Sequence, residues 1–263
     1  MPEERRRKPV KYIVAADTDV GISKRSNQDS LCIKCADTSL GPVVMAIVCD
    51  GMGGLDKGEL ASAVVIRFFN KWFENVLPGL IQEGDWERIR ASWETSLRDL
   101  NKCISEYGSD ADMTLGTTFC AMLIIGNRYM LFNVGDSRAY RLSSVIEQLT
   151  EDQTYVQREI NRGNLTPEQA LSHPKRSVLL QCIGASRVVV PDVFFGTVAP
   201  GENYMLCSDG FRHVISEDEI MSKLNAPIGS SAAEIKRSIR DLIETVKSRR
   251  EKDNISALLI HAE

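Results

Sequence analysis

Aspartates recur in this chain at the mouths of apolar runs, and that placement constrains its fold and chemistry more than any other feature. Asp50 follows Val43-Val44-Met45-Ala46-Ile47-Val48-Cys49 and leads into Gly51-Met52-Gly53-Gly54. Asp209 follows Tyr204-Met205-Leu206-Cys207-Ser208, and Asp136 follows Leu131-Phe132-Asn133-Val134-Gly135. Asp253-Asn254 introduces the last apolar run, and Asp29 stands just before an earlier one. A carboxylate withdrawn from water is costly unless something neutralises it. One Asp-Gly is an ordinary turn; acids at several strand mouths call for positive charge. Mg²⁺ and Mn²⁺ answer that need, because hard cations take carboxylate, carbonyl and water oxygens. Zinc does not fit: the three histidines, His173, His213 and His261, are not spaced as a ligand pair. The glycines after Asp50 admit a close approach by metal or substrate. They match neither a P-loop nor a dinucleotide fingerprint.

The runs Tyr12–Ala16, Ser30–Cys35, Val43–Cys49, Thr117–Ile125, Tyr129–Val134, Arg138–Leu142, Val188–Thr197, Tyr204–Cys207 and Ile255–His261 read as strands bounded by turn formers. Gly126-Asn127 marks a hairpin, and Ser143-Ser144 a second. Helical spacing covers Leu60 to Val76 with a stop at Pro78-Gly79, Trp86 to Tyr107 closed by Gly108, and Ala233 to Lys247. The order is strands, two helices, strands, an irregular insert, strands, a helix and a last strand. It lacks a βαβα rhythm, so helices packed over antiparallel sheets are expected.

A net charge of −4 counts against a nucleic-acid binder. The one basic run, Arg5-Arg6-Arg7-Lys8, belongs to a polar arm, residues 1–9, expected to be disordered. No apolar stretch reaches the roughly 20 residues of a membrane span, and no signal peptide follows Met1, which points to the cytoplasm. Cys49, Cys120 and Cys207 lie in apolar runs as small hydrophobes. Cys32 and Cys35 stand three apart in a strand, facing opposite sides, which disfavours a metal or redox pair.

Taken in order, the motifs resemble the metal-dependent Ser/Thr protein phosphatases of type 2C in their bacterial form. They are Thr18-Asp19-Val20-Gly21 with Ser26-Asn27-Gln28-Asp29; Asp50-Gly51-Met52-Gly53-Gly54 with Gly58-Glu59 and Ala61-Ser62; Leu115-Gly116-Thr117-Thr118; Asn133-Val134-Gly135-Asp136-Ser137-Arg138; Leu149-Thr150-Glu151-Asp152; His173-Pro174 with Leu179 and Gly184; Ser208-Asp209-Gly210; and Asp253-Asn254. Each motif is weak alone; the ordered set spans almost the whole chain.

The resemblance implies an α+β fold, a four-layer αββα sandwich of two mostly antiparallel sheets, as one catalytic domain over residues 10–263. It implies two Mn²⁺ or Mg²⁺ ions and a third. Asp50 would bridge two of them, the Gly51 carbonyl would sit on one, and Asp209 and Asp253 on the other. Asp29 would act beside the pair through water, and Asp136 would hold the third ion with Asp209. The implied reaction is hydrolysis of phosphoserine and phosphothreonine on proteins by a metal-activated water, with no phosphoenzyme. The implied partners are phosphorylated proteins and a Ser/Thr kinase pathway that the enzyme reverses, with the enzyme a monomer. A non-catalytic pseudophosphatase is the alternative, but it should have lost some of Asp50, Asp209 and Asp253.

The chain departs from the family at the substrate grip, where an arginine five positions before the acid at Asp29 is replaced by Lys24, followed by Arg25. Lysine offers a point charge instead of a planar fork; phosphate binding is expected of Lys24, with Arg25 as the other candidate. Met52 occupies the place where animal-type members carry a histidine, so water is expected to protonate the leaving group without a histidine limb in the pH profile. The segment 150–184 resembles the family's flap. Thr166-Pro167-Glu168 starts a helix there, and Arg158, Arg162, Lys175 and Arg176 are candidates to meet acidic substrate.

Overall fold

The structure is a computed structural model and describes residues 10–53 and 57–263. The expected arm 1–9, with its basic run, lies outside the described residues, as do Gly54 and Leu55. The first sheet contains β1 (Tyr12–Asp19), β11 (Ile255–Ala262), β10 (Asn203–Cys207), β7 (Arg138–Leu142) and β8 (Ile146–Gln148), in that spatial order. The second contains β2 (Asp29–Thr38), β3 (Gly41–Gly53), β5 (Phe119–Ile125), β6 (Arg128–Val134) and β9 (Asp192–Thr197), with β4 (Leu115–Thr117) also paired to β3. Every pairing between these strands is antiparallel.

Alternation along the strands builds the layers. Val43, Met45, Ile47 and Cys49 of β3 pack with α1 (Gly58–Asn75), α2 (Leu77–Glu83) and α3 (Trp86–Asp110). Val44, Ala46 and Val48 point the other way, into the space between the sheets, where Leu206, Leu258 and Ile260 meet them. On the far side Ile255, Ala257 and Leu259 of β11 turn outward to α7 (Glu217–Leu224) and α8 (Ala232–Ser248). Successive strand side chains face opposite sides, so unbroken apolar runs are what sheets covered on both faces require. The result is the αββα sandwich. Trp93, fully buried, packs against Phe69, Phe119 and Phe132 as part of the helix-side core.

Both expected hairpins are present: β5 to β6 turns through Gly126-Asn127, with Ile125 opposite Arg128, and β7 returns into β8. Several local expectations are corrected. α1 ends at Asn75, before Pro78-Gly79 as expected, but a new helix follows at once, with Pro78 in the first turn of α2, where its missing N–H has no intrahelical partner to lose. Gly108 does not close α3, which runs on to Asp110. It is needed inside the helix because a Cβ there would stand 2.7 Å from the Met113 carbonyl oxygen. The run Thr117–Ile125 is broken at Thr118 into β4 and β5. Val188 to Val190 are not strand: the Gln181 side chain takes both backbone groups of Val190, at 2.9 and 2.7 Å. Besides α2, two more unforeseen helices, α6 (Asp209–Arg212) and α7, follow β10. The insert carries α4 (Tyr155–Asn161) and α5 (Pro167–Leu171), the latter started by a capping box on Thr166. No helix of the described residues is long and apolar enough to cross a membrane.

Candidate metal centre

The antiparallel register gathers the acids at one end of the sandwich. Asp29 opens β2 and lies directly opposite Asp50 near the end of β3. Directly opposed side chains share a face about 5 Å apart, and like charges so placed repel. Asp136 follows the end of β6, Asp209 the end of β10, and Asp253 precedes β11. The two sheets are joined at this end by the Ser208 hydroxyl, which donates to Asp29 Oδ2 at 2.8 Å. Asp50 is locked in place through its backbone. Its N–H donates to Thr118 Oγ1 at 2.9 Å, and its carbonyl accepts from Thr118 N and Thr117 Oγ1 at 2.9 and 3.0 Å.

The acids act on one another. Withdrawal from water raises the Asp50 carboxyl well above the usual range, and the charges of Asp29, Asp209, Asp136 and Asp253 push the same way. Burial pushes Asp29 to about 7, against the Ser256 and Ser208 hydroxyls and with the charges of Asp209 and Asp253. Asp136 is also raised to about 7 by burial and the Asp209 charge, partly opposed by Arg212. The Asp29 Oδ1 and Asp209 Oδ1 oxygens are sealed from solvent with no hydrogen-bond partner. Oxygen donors, mutual repulsion and two orphaned carboxylate oxygens fit hard divalent cations. Among the described residues no three acid, histidine or cysteine side chains stand close enough together to hold a metal ion as they are. Cationic groups are set among the acids instead.

Lys24 is one of these. Its ammonium lies 2.9 Å from Asp253 Oδ1 while the side chain stays 36% exposed. Partial burial works against the charge, but Asp253, with Asp50 and Asp209 behind it, holds the Lys24 pKa above its ordinary value. Arg25 beside it is exposed. Gly51, the other predicted ligand, has no room for a side chain: a Cβ would lie 2.3 Å from the Gly58 carbonyl oxygen and 2.5 Å from that of Gln28.

Sequence reasoning gave no site role to four contributors, two of which, Ser208 and Asp152, stand in the motifs quoted above. His213 places Nε2 3.4 Å from Asp209 Oδ2 and Nδ1 3.4 Å from Glu251 Oε2. The i,i+4 spacing of Asp209 and His213 was the available signal, hidden because α6 was not foreseen. Arg212 reaches the Asp136 carbonyl at 3.1 Å and Asp152 at 3.3 Å, and Ser208 joins the sheets as described. Asp152 in turn takes a two-pronged contact from Arg138, at 2.7 Å on each oxygen.

Residues 22–259 match the family described as Protein phosphatase 2C, and the chain belongs to that family. It is 32% identical over 248 residues to the serine/threonine protein phosphatase PstP of Mycobacterium tuberculosis, covering 93% of this chain. The chain spans 44% of that relative's length. It superposes on the Streptococcus agalactiae serine/threonine phosphatase with a TM-score of 0.84 at 28% identity, covering 96% of this chain and all of that one. The catalytic domain of PstP in complex with two manganese ions superposes with a TM-score of 0.78, also at 28% identity, covering 96% and 99% of the two chains.

Proposed function

We propose that this chain is a cation-dependent Ser/Thr protein phosphatase that hydrolyses phosphoserine and phosphothreonine on proteins. The observation that carries the reading is Asp29 set directly opposite Asp50, with the charges of Asp136, Asp209 and Asp253 converging on the same carboxylate. A turn-forming role explains none of that repulsion. In this reading Asp50, the Gly51 carbonyl, Asp209 and Asp253 would hold the catalytic cations, with Asp29 beside them, and Asp136 with Asp209 would hold a further one. Manganese is favoured by the two-manganese complex of the PstP domain; magnesium suits the same oxygen set.

Bound cations would supply the positive charge that lowers the pKa of an attacking water and offsets charge building on the phosphoryl oxygens. The chain's own residues do the positioning. The backbone of Asp50, clamped by Thr117 and Thr118, fixes its carboxylate. Lys24, at the mouth and paired with Asp253, is placed to exchange that partner for a substrate phosphate; Arg25 is the neighbouring candidate. The segment 150–184 is read as the flap bordering the site. All seven cysteines are free, which suits a reducing compartment, and the reading places a monomeric enzyme in the cytoplasm opposing a Ser/Thr kinase. A pseudophosphatase is disfavoured because Asp50, Asp209 and Asp253 are all present.

The test is hydrolysis of p-nitrophenyl phosphate and a phosphothreonine peptide with Mn²⁺ and then with chelator. Chelation should abolish turnover, and Asp50→Asn should lower kcat by roughly 10³-fold, about 4 kcal/mol of barrier. Full turnover by Asp50→Asn would overturn the reading.

A further inference from the structure

His213 lies outside the all-oxygen ligand set, yet its ring is held like that of a metal-binding histidine. Nε2 faces Asp209 Oδ2 at 3.4 Å, and Nδ1 faces Glu251 Oε2 at 3.4 Å. Glu251 is itself fixed: its Oε1 accepts from the backbone N–H groups of Lys252 at 2.7 Å and Asp253 at 3.0 Å. Its other oxygen is thereby aimed at the back of the imidazole. A ligating histidine commonly gives its second ring nitrogen to a carboxylate, which sets its orientation and strengthens it as a donor. Carboxylate, imidazole and metal-site aspartate stand here in that order.

The front distance also fits. Two donor atoms each about 2.1 Å from one cation stand roughly 3.0–3.4 Å apart at octahedral to tetrahedral angles. Asp209 adds an independent sign, since its Oδ1 is sealed from solvent and has no hydrogen-bond partner. The other two histidines are engaged elsewhere. His261 is buried in β11 against Asn203 Oδ1 at 2.9 Å; His173 stacks on Tyr155 and accepts from Lys175 N.

We infer that His213 Nε2 is a nitrogen ligand to a cation held by Asp209, with Glu251 as its positioning residue, so that this centre is a mixed nitrogen–oxygen site. The inference rests on the cation-centred reading of the site. Its consequence is selectivity. Imidazole is a poor partner for Mg²⁺, and the first-row divalent ions hold it more tightly from Mn²⁺ towards Zn²⁺, so His213 adds more to the binding of Mn²⁺ than of Mg²⁺ and more again to that of Zn²⁺.

The experiment is pulsed electron paramagnetic resonance of the Mn²⁺-loaded chain, with calorimetric titration of Mn²⁺ and Mg²⁺ alongside. Directly bound ¹⁴N should modulate the wild-type signal, change with ¹⁵N-histidine labelling and disappear in His213→Gln. The same variant should lose about 10-fold in affinity for one Mn²⁺ and little for Mg²⁺, and Glu251→Gln should lose part of that affinity. Should His213→Gln fail to fold, the wild-type nitrogen signal and its isotope shift decide alone. Mn²⁺ binding and turnover without nitrogen coupling would overturn the histidine ligand and leave the phosphatase reading standing. Absence of any Mn²⁺ binding by the wild type would overturn both.

Discussion

The Lys24 ammonium stands 2.9 Å from Asp253 Oδ1, so the residue expected to grip substrate is already paired with an acid expected to hold metal. An exposed ion pair of this kind contributes little stability, about 0–1 kcal/mol. Its importance is positional, because it keeps a cation at the rim of the acidic mouth. Lys24→Ala should raise KM for a phosphothreonine peptide about 10-fold, with a smaller effect on kcat and almost none on the unfolding midpoint. Steady-state kinetics beside urea denaturation reads all three. An unchanged KM would transfer the role to Arg25.

Behind Lys24, Asn254 ties its loop to the strand that follows Asp253. The buried amide donates to the Val20 carbonyl at 2.9 Å and the Ser26 carbonyl at 3.2 Å, while its oxygen accepts from Gln28 N at 2.9 Å. Asn254→Ala strands all three groups, and stranded buried groups cost about 1–3 kcal/mol each before any relaxation. A loss of about 3 kcal/mol in urea unfolding is expected, together with a higher KM for p-nitrophenyl phosphate as the Lys24 loop loosens. A stable variant with unchanged KM would show that the loop holds itself.

These relationships differ in how far the sequence reveals them. The four layers follow from strand alternation, and the opposition of Asp29 and Asp50 follows once both flank adjacent apolar runs. Contacts made by folding itself were not legible. Val188 to Val190 carries a strand-like composition, but Gln181 satisfies the backbone of Val190. α6 is only four residues long, too short for periodicity to announce, and so the placing of His213 four residues after Asp209 went unread. The motif Asp253-Asn254 was visible, but the amide's role depends on a loop more than 200 positions away.

Crowded carboxyls make stability depend on pH and on cations together. Asp29 and Asp136 have folded pKa values of about 7, above the unfolded value of about 4. Such groups penalise folding only when ionised, so the penalty is absent below about pH 4, grows up to about pH 7 and is complete above it. In chelator the melting temperature should therefore fall between pH 5 and pH 8. Saturating Mn²⁺ should remove most of that fall and add binding stabilisation of about 2.7 kcal/mol at 100 times Kd. Differential scanning fluorimetry checks this, and an equal Mn²⁺ shift at both pH values would contradict it.

Two glycines separate backbone approach from mere flexibility. At Gly51 an added methyl would meet backbone carbonyl oxygens at 2.3 and 2.5 Å, one on Gly58 in α1 and one on Gln28. Neither can rotate away, so the strand carrying Asp50 must shift. At Gly79, inside α2, the same methyl meets nothing within 4 Å. Helix propensity then governs, favouring alanine by about 0.5–1 kcal/mol. Gly51→Ala should lose at least about 3 kcal/mol in urea unfolding, or fail to fold. Where it folds, it should bind Mn²⁺ more weakly, because both Asp50 and the Gly51 carbonyl move. Gly79→Ala should gain a fraction of a kcal/mol and keep wild-type turnover. If the two substitutions proved equally mild, the close packing of β3 against α1 would not be what fixes the acidic mouth.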